Sequence, residues 1–104
     1  MDENLLIERE KTLFESLAYT LNMTAIQQLG KTDSLHKNVK PDFLAAQDTL
    51  DILIVLHKKT AGNLSEEESR FLDNIIANVT KHIGEMQNSL EILANAVEIE
   101  VPED

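Results

Sequence analysis

Apolar residues fall into three stretches with helical spacing, separated by two polar connections. In the first, Leu13, Leu17, Leu21 and Leu29 share one stripe with Phe14, Ala18, Ala25 and Ile26. The spacing predicts a helix from about Thr12 to Leu29, opened by a capping box at Thr12-x-x-Glu15 and ended by Gly30. Upstream, Leu5, Leu6 and Ile7 precede Glu8-Arg9-Glu10-Lys11 without a clean stripe; residues 1–11 form an N-terminal segment that could extend this helix. A polar connection over residues 31–40 leads to Pro41, whose missing amide hydrogen suits the first position of a second helix, Pro41 to Ala61. Phe43, Ala46, Leu50, Leu53, Ile54 and His57 mark one face of it, and Ile52, Val55 and Leu56 widen the apolar arc. Such a broad arc calls for cover on more than one side.

The second connection is the sharpest local signal. Gly62 ends helix two, and Ser65-x-x-Glu68 forms a capping box whose glutamates favour the positive end of the helix dipole. So short a loop makes helices two and three an antiparallel hairpin. The third helix is predicted from Glu66 to about Val97. Along it Leu72, Ile76, Val79, Ile83, Met86, Leu90, Leu93 and Val97 follow a strict four-three alternation. These eight residues form one apolar seam, with Ile76, Ile83, Leu90 and Val97 at a and Leu72, Val79, Met86 and Leu93 at d. The flanking e and g positions (Asp73, Ile75, Thr80, His82, Gln87, Ser89, Ala94 and Ala96) carry no opposed charges, so the seam reads as a bundle interface and not a two-stranded zipper.

In an up-down-up arrangement the long third helix outruns the other two, so its distal seam needs a second chain to cover it. The expectation is an all-α three-helix chain forming an oligomeric bundle, a homodimer first, with the eight seam residues at the interface. The domain organisation is a single helical domain over 12–97 and an acidic tail over 98–104. In that tail Val97, Ile99 and Val101 alternate with acids, which reads as a short strand or a frayed end.

Composition agrees with helices: Gly and Pro are few, and apolar residues make up 42% of the 104, too many for a disordered chain. The net charge of −10 is uneven. Residues 66–104 hold ten acids against Arg70 and Lys81 alone. That surface repels phosphate backbones and anionic lipid, leaving a basic protein as a compatible partner. The acidic start, Met1-Asp2-Glu3-Asn4, is unlike a secretory signal. The longest apolar run, Ile52–Leu56, falls far short of the ~20 residues that span a membrane. A cytoplasmic location is expected, with neither membrane nor nucleic acid as partner.

Candidate chemistry is sparse. There is no cysteine, so thiolate metal sites and thiol nucleophiles are excluded. His57 and His82 have Ile54 and Val79 three residues before them, where a di-iron bundle needs glutamates; Asp33-x-x-His36 has the spacing but lies in a loop. The serines have no partnered base at a telling spacing, the acids Asp48 and Asp51 share a solvated face, and Gly30, Gly62 and Gly84 are too dispersed to cradle a phosphate. Gly84, inside the seam helix, permits either a close helix approach or a kink, or is a tolerated surface glycine. No catalytic, metal or cofactor residue is assigned. The expected function is non-enzymatic, through self-association and protein–protein contacts; a small-ligand- or metal-binding bundle is the alternative.

At the helix two–three junction, Ala46-x-x-Thr49-Leu50-Asp51-x-Leu53-x-x-Leu56 and Lys59-Thr60-x-Gly62-Asn63-Leu64-Ser65-Glu66-Glu67-Glu68 resemble domain of unknown function 1844, a family of small bacterial proteins. Phe14-x-x-Leu17-Ala18 and Leu29-Gly30 are similar too, so the resemblance covers about residues 14–83. It implies a bacterial origin and the helical hairpin, and no activity, ligand or site residue. Two features depart from the family pattern: no proline in the first loop before Pro41, and Thr80-Lys81-His82-Ile83 in place of an Arg- and Tyr-bearing end. The distal seam and tail lie beyond the resemblance.

Overall fold

The computed structural model describes residues 2–30 and 41–100, with 94 and 96–100 described by their backbone alone. The fold is all-α: α1 spans Glu3–Gln28, α2 Phe43–Thr60 and α3 Glu66–Glu100. No strand occurs among the described residues.

Helix α1 begins well before Thr12. Asp2 caps it, accepting a hydrogen bond from the Asn4 amide at 3.2 Å. Thr12 is an interior residue whose hydroxyl donates to the Glu8 carbonyl at 3.0 Å, as Thr20 does to Ser16 and Thr24 to Thr20. The Thr12-x-x-Glu15 spacing imitates a capping box because residues three apart share a helix face anyway. A similar correction applies to α2. Its cap is Asp42, whose carboxylate accepts from the Ala45 amide at 3.0 Å; Pro41 stands outside the helix. An aspartate satisfies an orphan amide, which a proline cannot do.

The Ser65–Glu68 capping box forms as expected: the Glu68 amide donates to Ser65 Oγ at 3.1 Å and the Ser65 amide to Glu68 Oε1 at 2.8 Å. Helix α3 then continues through Glu100, so residues 98–100 are helical rather than strand or frayed coil. Between Gly84 and Pro102 there is no glycine or proline to stop it. Residues 101–104, the connection 31–40 and the Asp33-x-x-His36 spacing lie outside the described residues.

All three helices pack on one another. The core consists of Ala18, Ala25 and Leu29 from α1, Ala46, Leu50 and Leu53 from α2, and Leu72, Ile75, Val79 and Ile83 from α3. Phe14, Leu21, Phe43, Phe71, Ile76 and Met86 pack around it. The buried face of α1 is therefore Phe14-Ala18-Leu21-Ala25-Leu29, while Leu13 and Leu17, expected on that stripe, are 53% and 48% exposed. Leu13 lies one residue, about 100° of helical turn, from Phe14 on that face, and Leu17 lies one residue from Ala18. Fully burying a leucine stabilises by roughly 1.5–3 kcal/mol relative to leaving it exposed. Thr49, the buried polar residue of the core, donates its hydroxyl to Gln28 Oε1 at 2.7 Å.

Glycines close the first two helices. Gly30 has φ +72° and Gly62 φ +86°, both in the left-handed region. A Cβ on Gly30 would also lie 2.9 Å from Pro41 Cγ, whereas one on Gly84 would meet nothing within 4 Å. Gly84 thus reflects no close approach of a neighbouring helix within the chain. Gly30→Ala and Gly84→Ala should shift stability in opposite directions. Left-handed strain predicts a loss of about 1–2 kcal/mol for the first, and helix propensity a gain of up to about 1 kcal/mol for the second. Urea denaturation at one fixed protein concentration measures both; changes of the same sign would contradict this backbone reading.

Candidate functional site

The apolar seam of α3 is divided in two. Leu72, Val79 and Ile83 are buried by the chain's own α1 and α2, and Ile76 and Met86 are partly covered. Leu90 and Leu93, further along the same face, are 47% and 61% exposed. Val97 continues the register within the helix.

Cross-helix contacts locate the division. Lys11 on α1 pairs with Glu67 on α3, and the Asn78 side chain donates from Nδ2 to Asn22 Oδ1 at 3.0 Å. Both pairs are separated by 56 residues. The two helices therefore run parallel without slipping, and Gln28 at the end of α1 stands level with Gly84. Helix α2 runs the other way. His57 Nε2 lies 3.1 Å from Asp73 Oδ1, which sets Phe43, at the start of α2, level with about Gln87. Beyond Gln87, α3 has no companion helix among the described residues over roughly 20 Å, at 1.5 Å per residue.

Electrostatics hold that alignment and little else. Of the three glutamates opening α3, Glu66 pairs with Arg70 at 3.2 Å, Glu67 with Lys11, and Glu68 closes the capping box. His57 lies 3.1 Å from Asp73, and His82 lies 3.1 Å from Glu85. Among the described residues no group of three or more His, Asp or Glu is placed to hold a metal ion. No described helix is long and apolar enough to cross a membrane.

Further exposed apolar residues escaped the reading of periodicity. Leu5, Leu6 and Ile7 lie on α1 ahead of the hairpin turn, Leu44, Ile52 and Val55 on the outer side of α2, and Ile92 on α3 away from the seam. For α2 the signal was its overly wide apolar arc. For the others no sequence signal separates core from surface, because the distinction depends on where the neighbouring helices stop.

The fold defines a three-helix protein in which a short-looped hairpin and a parallel first helix build one core, and the third helix projects beyond it. The chain belongs to the family of the domain of unknown function DUF1844, whose model matches residues 11–81. No curated protein and no solved structure matches the chain.

The hydrogen bond and charge of Lys11 hold the Glu67 carboxyl below its usual value, and Glu67 in turn raises the Lys11 ammonium. Because the folded carboxyl is depressed, the pair's contribution is present above the ordinary carboxylate range and is lost as pH falls through the lowered value. At the alkaline end it is lost as pH rises through the raised lysine value. An NMR titration should find Glu67 titrating below ordinary glutamates, and Lys11→Met should return it towards them. An unchanged Glu67 in that variant would contradict the pairing that aligns α1 with α3.

Proposed function

We propose that this is a non-enzymatic bacterial protein that self-associates, as a dimer, and acts in the cytoplasm through protein–protein contacts made by the distal half of α3. The observation that carries this reading is the fate of one seam. Its proximal residues form the core of the chain, and Leu90 and Leu93 continue the same face into solvent. An apolar stripe that continues a core register beyond its own chain is unfavourable in water, and a second protein surface relieves that exposure. Chain size supports the same conclusion, since a domain of about 100 residues buries only around two-thirds of its unfolded surface, so added burial stabilises it appreciably.

The contact surface is smaller than the full seam. Leu72, Val79 and Ile83 serve the intrachain core, which leaves Met86, Leu90, Leu93 and, by register, Val97 for association. The overlap of a few helical turns belongs to the small end of specific interfaces, below ~1,200 Å² in total, so a concentration-dependent equilibrium is expected. Light scattering across micromolar concentrations should show a mass rising from one chain to two. The double variant Leu90→Glu/Leu93→Glu should remain a single chain with an unchanged helical circular dichroism spectrum, because both side chains lie outside the folded core. A wild-type chain that stays monomeric, or a double variant that associates as well as wild type, would overturn the proposal.

A further inference from the structure

We infer that two copies pair antiparallel along residues 86–97 of α3, about a twofold axis passing between Glu91 and Ile92. This rests on the self-association proposed above and adds its partner orientation and register.

The first argument is steric. The face that bears Leu90 and Leu93 is the face that α1 and α2 cover further back, where Leu72, Val79 and Ile83 are buried. A second α3 lying on that face and running parallel would carry its own three-helix body into the space held by α1 and α2. Reversed, it keeps the two bodies at opposite ends. Residues 87–96 of the two copies then lie side by side, at or beyond the level where α1 ends and α2 begins.

The second argument is register. In antiparallel pairing, an a position of one helix meets a d position of the other. With the axis between Glu91 and Ile92, Leu90 meets Leu93 of the second copy and Met86 stands opposite Val97, each contact occurring twice. Sliding by a heptad towards the N-terminus would require Ile83 and Val79, which are already buried. Sliding towards the C-terminus would bring the d position of Glu100 into the seam.

Charge names the occupant. The positions flanking the distal seam, Gln87, Ser89, Ala94 and Ala96, are uncharged, while Glu85 and Glu91 occupy the outer c and b positions. Two copies of an acidic helix can approach because their acids lie away from the seam. A basic helix would find no acidic flank to select it.

The chain has no cysteine, so single Thr80→Cys and Asn95→Cys variants can each carry one spin label; both sites are exposed. In the inferred dimer, electron–electron resonance should place the Thr80 labels about 35 Å apart along the axis and the Asn95 labels about 10 Å apart, at 1.5 Å per residue. Similar short separations at both sites would mean parallel pairing, and long separations at both a head-to-tail contact. Either would overturn the orientation while leaving self-association standing. The absence of any intermolecular distance, together with a monomeric mass by light scattering, would overturn both.

Discussion

The architecture depends on the fixed offset between α1 and α3. Lys11 with Glu67 and Asn22 with Asn78, eleven residues apart on each helix, mark the alignment in which the two parallel helices pack. On the buried face of α1, Ala18 lies between those anchors and Ala25 one turn beyond the second. Once the alignment is set, the end of α1 is level with Gly84, and the hairpin brings the start of α2 to nearly the same height. A helix of 35 residues is thereby packed against companions of 26 and 18 that stop together. Everything particular to the molecule follows from that mismatch.

The local punctuation was legible in the sequence wherever a single backbone requirement decided it. Ser65 and Glu68 form their reciprocal cap, and Gly30 and Gly62 take left-handed conformations after their helices. The misreadings arose where two explanations share one pattern. Thr12 and Glu15 have capping-box spacing inside a continuous helix, and Asp42 competes with Pro41 for the start of α2. Alternation over Val97, Ile99 and Val101 was too short to outweigh uninterrupted helix propagation through Glu100. The division of the seam could not be read from periodicity, because Ile83 and Leu90 hold equivalent heptad positions. Only the tertiary offset makes one core and the other surface.

Family membership divides the chain at nearly the same place. The matched region ends at residue 81, one turn before α1 runs out beside Gly84. The family's part of the sequence thus builds the hairpin, the caps that open α2 and α3, and most of the core. Residues after it contribute Ile83 and Met86 to the edge of that core, then Leu90 and Leu93 to solvent. The family-matched stretch of α3 and its exposed apolar extension are separate physical units on one helix. Under the proposed function, the first supplies a rigid base and the second the contact.

The central claim is that α3 has two halves, one stabilised within the chain and one stabilised by association. Amide hydrogen exchange, resolved along α3 and repeated over a range of protein concentrations, addresses that division most directly. Protection of residues 72–83 should be set chiefly by the intrachain core at low concentration, whereas protection of 86–97 should begin low and climb with concentration as copies pair. Strong protection of 86–97 at the lowest concentration, or none at the highest, would contradict the account.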